Sequence, residues 1–378
     1  MSRGVQESNV IGIVQPFVPS YRRGFFDAVA AGLAQHDLTL EVWHAQPTGR
    51  VAARGNASSG PWSVAIDQHR LSLGRRNLTF RNIAHRARSA RAVVAGLAST
   101  NLETYALALD PRVHLMLWGH GRNYTASNFK LDGAIESWLC RRSAHVFAYT
   151  DGGKEHLVAR GTPGSDVTVV QNSTDTKRLL AALANLGPNA EAEVRQAHGL
   201  HGAFVGLFVG ALDAPKQLPM LFEAADLIHA SHPEFVLVIA GAGPDESSVR
   251  SMASAREYVR MIGSVDASAL AQLSLAVDLV LMPGRIGLVA VDALALGLPI
   301  ATTRYPFHAP EADYLTDGID SIWTDFDPRS FADGVSGLIA DTERRGRMSD
   351  AAAAKGRAFS VEQSASRFVD GVVAGLTR

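Results

Sequence analysis

The chain has 378 residues, 47% of them hydrophobic and 19% charged, with a formal net charge of −1. This is the composition of an ordinary globular protein and excludes a disordered chain, and the length favours two domains over one. Cys140 is the only cysteine, which excludes an intrachain disulfide, and no cluster of Cys and His indicates a metal site. The N-terminus has no apolar stretch of signal-peptide or membrane-span length, so we expect a cytoplasmic protein.

The near-neutral total hides opposite charges in the two halves of the chain. Residues 1–178 hold 21 Lys and Arg against 13 Asp and Glu, a net charge of +8, and the rest of the chain carries −9. Such asymmetry predicts either that the first half meets an anionic surface or substrate, or that two domains face each other with complementary charge. Nucleic acid is the less favoured partner, because no aromatic stacking pattern or known binding module is present.

Short apolar runs alternate with helical patterns along the whole chain, which predicts parallel sheets covered by helices on both faces. The runs form two groups of five, which predicts two Rossmann-like α/β domains. We expect an N-terminal domain over residues 1–178, a C-terminal domain over 200–358 and a final helix over 359–378. The predicted strands are Val10–Val14, Leu38–Trp43, Val113–Trp118, His145–Tyr149, Val167–Val170, Phe204–Val209, Phe235–Ala240, Val259–Ile262, Leu279–Leu281 and Ile300–Thr302.

The segment from Gln68 to Leu102 carries seven arginines and no acidic residue. At helical spacing, Arg81, His85 and Arg88 fall on one stripe, opposite an apolar side that includes Val94 and Leu97. This pattern predicts a basic amphipathic helix, which could rest on anionic lipid headgroups. A solvated basic face is the alternative.

His120 lies between two glycines at the carboxyl end of a predicted strand, in Leu117-Trp118-Gly119-His120-Gly121. Ligands of parallel α/β sheets bind beyond the carboxyl ends of the strands. We therefore expect His120 to contact a ligand, with a buried core histidine as the alternative.

The most informative segment runs from Met282 to Leu315 and reads MPGRIGLVAVDALALGLPIATTRYPFHAPEADYL. A strand enters a Pro-Gly turn, a helix follows, and a second strand begins after Gly297-Leu298-Pro299. A helix start with unpaired N–H groups favours phosphate, and Asp292 inside the helix could accept hydrogen bonds from a ribose diol.

Three motifs in sequence order resemble family 4 retaining glycosyltransferases. They are the Gly210-to-Lys216 stretch after a strand, Gly241-Ala242-Gly243-Pro244, and the Met282–Leu315 segment. The resemblance covers most of the chain and is sharpest from Phe204 to Leu315. Its PGxxGL…HxPE pattern is similar to a subgroup of that family.

The chain departs from the family pattern at several positions, three of which bear on the donor diphosphate and the loops around it. Ala211 replaces an arginine that grips the donor diphosphate, Gly284 replaces the first of two glutamates, and Gln217 replaces a common glycine. The resemblance implies that Lys216 keeps its role in gripping the diphosphate, and Arg285 is the best substitute for the missing arginine.

The resemblance implies the GT-B fold, with two Rossmann-like domains facing across a cleft and a final helix, residues 359–378, that crosses back to the N-terminal domain. It also implies transfer of a sugar from a nucleotide-sugar with retention, without metal or cofactor. The implied catalytic residues are Lys216, Arg285 and His120. The expected donor-binding residues are Gly210, Gly243, Gly263, Ile286, Gly287, Leu288, Asp292, His308, Pro310 and Glu311. Tyr21, Arg22 and Asn123 are expected at an acceptor that is a glycan, a lipid-linked molecule or a small molecule.

Two other functions fit the same sequence. A nucleotide-sugar epimerase on the same fold would need further acidic residues near the ligand. A non-catalytic scaffold would explain why Ala211 and Gly284 depart from the family pattern.

Overall fold

The structure is a computed structural model, and it describes residues 8–47, 57–73, 76–121 and 130–378. The chain divides into two compact units. The first comprises the residues up to Asn172 together with Val361–Arg378, and the second is Ser173–Ser360. The division therefore falls after Asn172, and residues 173–199 pack with the second unit.

The first unit is built on a seven-stranded sheet in the order β3-β2-β1-β6-β7-β8-β9, with every neighbouring pair parallel. Its order reverses between β1 and β6, which is where such sheets open a crevice for ligands. The strands are β1 (Val10–Gln15), β2 (Thr39–His44), β3 (Ser63–Ala65), β6 (Ala92–Gly96), β7 (Leu115–Gly119), β8 (His145–Ala148) and β9 (Val167–Val169). The helices are Arg23–Ala34, Ala84–Ser89, Leu102–Leu109, Lys130–Cys140, Asp151–Ala159 and Val361–Leu376.

The last helix, Val361–Leu376, packs on this first sheet because its apolar face meets aromatic side chains there. Phe368 stacks on Phe147 with ring centroids 4.3 Å apart and meets Phe25 edge to face. Gly371 permits the approach, because a Cβ there would lie 2.4 Å from the Phe147 ring. The C-terminus of the chain is thus part of the first unit's core.

A two-stranded antiparallel hairpin, β4 (Gln68–Leu73) and β5 (Arg76–Arg81), precedes the short helix Ala84–Ser89. The predicted basic helix through Arg81, His85 and Arg88 is therefore wrong. Arg81 ends a strand and is buried in an ion pair with Glu103, whereas His85 and Arg88 are exposed. Val94, assigned to the helix's apolar side, lies instead in the central strand β6.

The second unit is built on a six-stranded parallel sheet in the order β12-β11-β10-β13-β14-β15. The order reverses between β10 and β13. The strands are β10 (Phe204–Val209), β11 (Phe235–Ala240), β12 (Val259–Gly263), β13 (Leu279–Met282), β14 (Ile300–Thr303) and β15 (Ser321–Thr324). The helices are Thr176–Ala184, Ala190–His198, Leu218–Ser231, Glu246–Ser254, Ala267–Ser274, Val289–Ala295, Pro328–Ala340 and Thr342–Gly356.

All ten predicted strands are present within two residues of their predicted ends, and the two-domain α/β class is confirmed. The sequence interpretation missed β3, β4, β5, β6 and β15. No helix of the described residues is long and apolar enough to cross a membrane. The cytoplasmic location stays a prediction.

Candidate functional site

Three loops of the second unit meet at the carboxyl edge of its sheet, where the strand order reverses. They follow β10, β13 and β14. Hydrogen bonds join the loop after β10 and the loop after β14 to the loop after β13. The motifs singled out in the sequence, around Lys216, Arg285 and His308, are these three loops.

Lys216 ends a short 3-10 turn, Ala214–Lys216, in the loop after β10. Its Nζ donates to the backbone oxygen of Arg285 at 2.7 Å. Burial lowers the pKa of Lys216 to about 8, an effect that Asp213 and Glu311 oppose and Arg285 reinforces. The ammonium group is thus held, partly desolvated, beside a second cation.

Arg285 lies on the same loop edge, and its backbone N–H donates to the oxygen of Pro215 at 2.9 Å. Its side chain is partly buried, and no carboxylate of the described residues forms an ion pair with it. Two cations without a shared anion form a cluster suited to a diphosphate.

Gly284 explains how the two loops come so close. A Cβ at this position would lie 2.5 Å from the backbone oxygen of Pro215 and 2.5 Å from the backbone carbon of Lys216. The glutamate expected here from the family pattern therefore does not fit unless the Lys216 loop moves. The glycine at position 284, in place of the family's glutamate, thus occurs where the loops after β10 and β13 contact each other directly.

Gln217 adopts φ 56°, in the left-handed region that favours glycine. This accounts for the glycine that the resembled family often carries here. Gln217 then starts the helix Leu218–Ser231, whose first turn contains Pro219. The backbone here thus has the conformation that a glycine would favour, although the residue is a glutamine.

His308 joins the loop after β14 to the loop after β13. Its Nδ1 accepts from the backbone N–H of Ile286 at 3.1 Å, so Nε2 carries the proton and donates to the oxygen of Thr303 at 2.9 Å. Burial lowers the pKa of His308, which keeps the ring neutral as this pattern requires. Both ring nitrogens thus contact backbone groups and tie the two loops together. The expected contact of His308 with the donor stays a prediction.

Pro310 and Glu311 are buried in the 3-10 turn Pro310–Tyr314. Glu311 acts electrostatically on Lys216 and raises its pKa. A carboxylate thus lies near enough to the Lys216 ammonium group to act on its charge. Its role as a sugar ligand stays a prediction.

The glycines and apolar residues expected to bind the nucleotide-sugar differ in their surroundings, which are tightly packed at some and open at others. A Cβ at Gly243 would lie 2.3 Å from the oxygen of Leu212, so this glycine serves loop packing. At Gly263 and Gly287 no atom of the described residues, chain neighbours apart, lies within 4 Å of the position that a Cβ would take, which leaves room for a ligand to approach the backbone. Gly210 borders the Lys216 side chain, Ile286 is buried, and Leu288 caps the seven-residue helix Val289–Ala295.

Asp292 lies in that short helix and accepts a hydrogen bond from the Thr174 hydroxyl at 2.6 Å. Burial raises the pKa of Asp292 to about 6, and the Thr174 hydrogen bond partly offsets the rise. Thr174 was not among the predicted site residues. It comes from the Asn-Ser-Thr-Asp turn at residue 172, 118 positions earlier in the chain.

The first unit brings Tyr21, Arg22 and His120 to the carboxyl edge of its own sheet. Arg22 donates to the Tyr149 hydroxyl at 2.5 Å, and the ring centroids of His120 and Tyr149 are 5.1 Å apart. Burial opposes the Arg22 charge, but Tyr149 and Tyr21 raise its pKa, and the net shift is upward. Asn123, the third expected acceptor residue, lies outside the described residues.

The loop after β1 also borders a cavity of about 170 Å³. Among its lining residues are Phe17, His44 and Ser58. The Nε2 of His44 is buried, and no group of the described residues forms a hydrogen bond with it. His44 ends β2, and nothing in its local sequence distinguished it from a core residue.

No group of three or more His, Cys, Asp or Glu within the described ranges could hold a metal ion. Lys216 and Arg285 are two cationic side chains at the edge of the second sheet.

Residues 190–355 match the family model of Glycosyl transferases group 1. Glycogen synthase of Mycobacterium tuberculosis is 27% identical over 180 residues, 45% of this chain and 40% of that protein. D-inositol 3-phosphate glycosyltransferase of Pseudarthrobacter chlorophenolicus is 26% identical over 308 residues, 75% of this chain and 70% of that protein.

The matches to the first curated relatives span only 40% to 52% of those proteins. Among solved structures, Anabaena HepE in complex with UDP superimposes with a TM-score of 0.64 at 15% identity, over 96% of this chain and 99% of that one. The chain therefore has the GT-B fold, and its residues 190–355 match the glycosyl transferases of group 1.

Proposed function

We propose that the protein is a glycosyltransferase of group 1 that takes a sugar from a nucleotide-sugar donor and transfers it to an acceptor with retention of configuration. The observation that carries this proposal is the joining of the loops that bear Lys216 and Arg285 at the strand-order reversal of the second sheet. Lys216 Nζ donates to the backbone oxygen of Arg285, and the Arg285 N–H donates to the backbone oxygen of Pro215. The family match over 190–355 and the UDP complex of HepE support it.

The chemistry follows from where charge develops. As the bond between the sugar and the nucleoside diphosphate breaks, negative charge gathers on the leaving phosphate oxygens. Lys216 and Arg285 stabilise that charge, and they are already in place, so little reorganisation is needed at the moment of reaction. Because these two cations supply the positive charge, we propose that the reaction needs no metal ion or cofactor.

The other donor-site residues hold parts of the same molecule in this proposal. Asp292 accepts from the ribose diol, and Glu311 accepts from sugar hydroxyls. His308 holds the loop that carries Ile286 and Gly287 in position. The loops around His308 and Gly284 bear the PGxxGL…HxPE pattern, and we assign the chain to that subgroup on this basis.

Binding of a nucleoside diphosphate tests the donor assignment. UDP, GDP, ADP and dTDP are titrated separately into the protein by calorimetry with EDTA present. We expect at least one of them, UDP first, to bind, and to stabilise the protein by about 2.7 kcal/mol at 100 times its dissociation constant. Absence of binding by all four would remove the donor site, and binding only after magnesium is added would overturn metal independence.

The pH dependence of UDP binding tests Asp292. The pKa of this carboxyl is about 6 in the ligand-free protein, so it is ionised at pH 7 and largely protonated at pH 5. A ribose diol donates hydrogen bonds best to the ionised form, so we expect UDP affinity to fall by about tenfold from pH 7 to pH 5.

Asp292→Asn is the control for this titration, because the terminal phosphate of UDP itself titrates near pH 6. The asparagine variant should keep only the dependence that belongs to the nucleotide. Identical pH profiles for the two proteins would show that Asp292 does not contact the ribose.

A further inference from the structure

Arg22 is a partly buried cation of the first unit. It follows the loop after β1, where the order of the first sheet reverses. No carboxylate of the described residues lies within ion-pairing distance of it. An arginine cannot shed its proton to escape burial, and a charge taken out of water is costly unless it is paired.

Neutral rings hold the Arg22 guanidinium in place. Its central carbon lies 4.8 Å from the centroid of the Trp118 ring, 5.6 Å from that of Tyr149 and 5.8 Å from that of Tyr21. Contacts of this kind orient a guanidinium but do not neutralise it. Its hydrogen-bond partners are neutral as well, because the Tyr149 hydroxyl accepts one of its five N–H donors and the Tyr21 hydroxyl also interacts with the guanidinium.

Two further groups suited to a polar ligand lie at this cluster. The indole N–H of Trp118 is buried, and no atom of the described residues accepts a hydrogen bond from it. The His120 ring packs against Tyr149. Buried donors without partners are rare in folded proteins, so an unpaired N–H beside an unpaired cation indicates a place built for an acceptor of hydrogen bonds.

We infer that Arg22, fixed by Trp118 and Tyr149, binds an oxyanion, a phosphate or a carboxylate, that the glycosyl acceptor carries. The assignment of the bound anion to a glycosyl acceptor rests on the proposed function, whereas the presence of an anion site at Arg22 does not. It narrows the acceptor from any glycan, lipid-linked or small molecule to one with an anionic group. A guanidinium can bind such a group through two parallel hydrogen bonds.

Inorganic phosphate is the probe, because it needs no knowledge of the acceptor. It is titrated by calorimetry into the wild type and into Arg22→Gln, Tyr149→Phe, Arg23→Gln and Lys216→Ala. Arg23 is the matched control, since it is the neighbouring arginine but is exposed and pairs with Asp27. Lys216→Ala removes the other cationic site to which phosphate could bind.

We expect Arg22→Gln to weaken one phosphate site by about tenfold or more, as for a lost charged hydrogen bond. Tyr149→Phe should weaken the same site less, because the ring stays and only the hydroxyl is lost. Arg23→Gln and Lys216→Ala should leave this site unchanged. Phosphate binding that is absent in the wild type, unchanged in Arg22→Gln, or lost only in Lys216→Ala would overturn the inference.

Thermal unfolding of each variant accompanies the titration. If Arg22→Gln is unstable, Tyr149→Phe carries the test, because it leaves every ring and the cation in place. Unchanged phosphate affinity in a folded Tyr149→Phe would then contradict the site.

Small sugars identify which anion is bound. Glucose 6-phosphate, glucuronate and glucose are titrated into the wild type and Arg22→Gln. If glucose 6-phosphate or glucuronate binds the wild type more tightly than glucose does, and Arg22→Gln loses this difference, the result supports the site and identifies its anion. Equal binding of all three sugars contradicts the site. If no nucleoside diphosphate binds while phosphate binding still depends on Arg22, the proposed function fails and the anion site stands.

Discussion

Lys216→Ala is expected to lower kcat/KM for the nucleotide-sugar by about 100-fold or more while the protein stays folded. The side chain is held beside Arg285 by a 2.7 Å hydrogen bond, and its removal takes one of two fixed cations from the leaving phosphate. Turnover of UDP-glucose, followed by release of UDP, measures the effect.

The pH profile gives a second readout for Lys216. Its pKa is about 8 in the ligand-free protein, so the charged form dominates at pH 7 and is lost as the pH rises through 8. We expect kcat/KM to fall over that range in the wild type. Lys216→Arg keeps its charge at every such pH and should lose this limb of the profile. Near-normal activity in Lys216→Ala would exclude the diphosphate role.

Arg81→Gln is expected to lower the free energy of unfolding of the first unit by about 3–5 kcal/mol, the usual cost of breaking a buried ion pair. Arg81 is 4% exposed, pairs with Glu103, and donates to Gln68 at 2.9 Å. Its loss leaves the Glu103 carboxylate buried without a counter-charge. Urea denaturation measures the change.

Arg88→Gln is the matched control, because Arg88 pairs with Asp110 at the surface and such pairs contribute about 0–1 kcal/mol. Equal stability of the two variants would contradict the buried pair. Removing both partners, as in Arg81→Met with Glu103→Leu, should recover part of the loss. Binding to anionic liposomes remains a prediction, and exposed His85 and Arg88 are the positions to test it.

Several parts of the fold could be predicted because local pattern and tertiary structure agree. Strand β10 and the helix Val361–Leu376 occur at the predicted residues. Strand β6 was missed because Ala92-Val93-Val94-Ala95-Gly96 is short, and its apolar residues also fit a helical spacing with their neighbours. A buried central strand has no alternation to distinguish it from a helix.

The site residues could be predicted only where the residues that perform the chemistry lie together in one loop motif. Lys216 and Arg285 could be chosen from their motifs, but their joining through backbone groups could not. Thr174 contacts Asp292 across 118 residues of sequence, so no local pattern connects them. His308 was expected at the donor from its place in the HxPE motif, but its hydrogen bonds to backbone groups of two loops could not be predicted, because only the folded loops bring those groups near.

The anomeric form of the first product tests the central claim most directly. UDP-glucose is incubated with the protein and EDTA, with water as the acceptor, and the released sugar is followed by NMR before it mutarotates. A retaining glycosyltransferase should release UDP together with α-glucose, and Lys216→Ala should abolish both signals. Three results would contradict the account: release of β-glucose first, conversion of the sugar to an epimer, or failure to cleave any nucleotide-sugar whose diphosphate the protein binds.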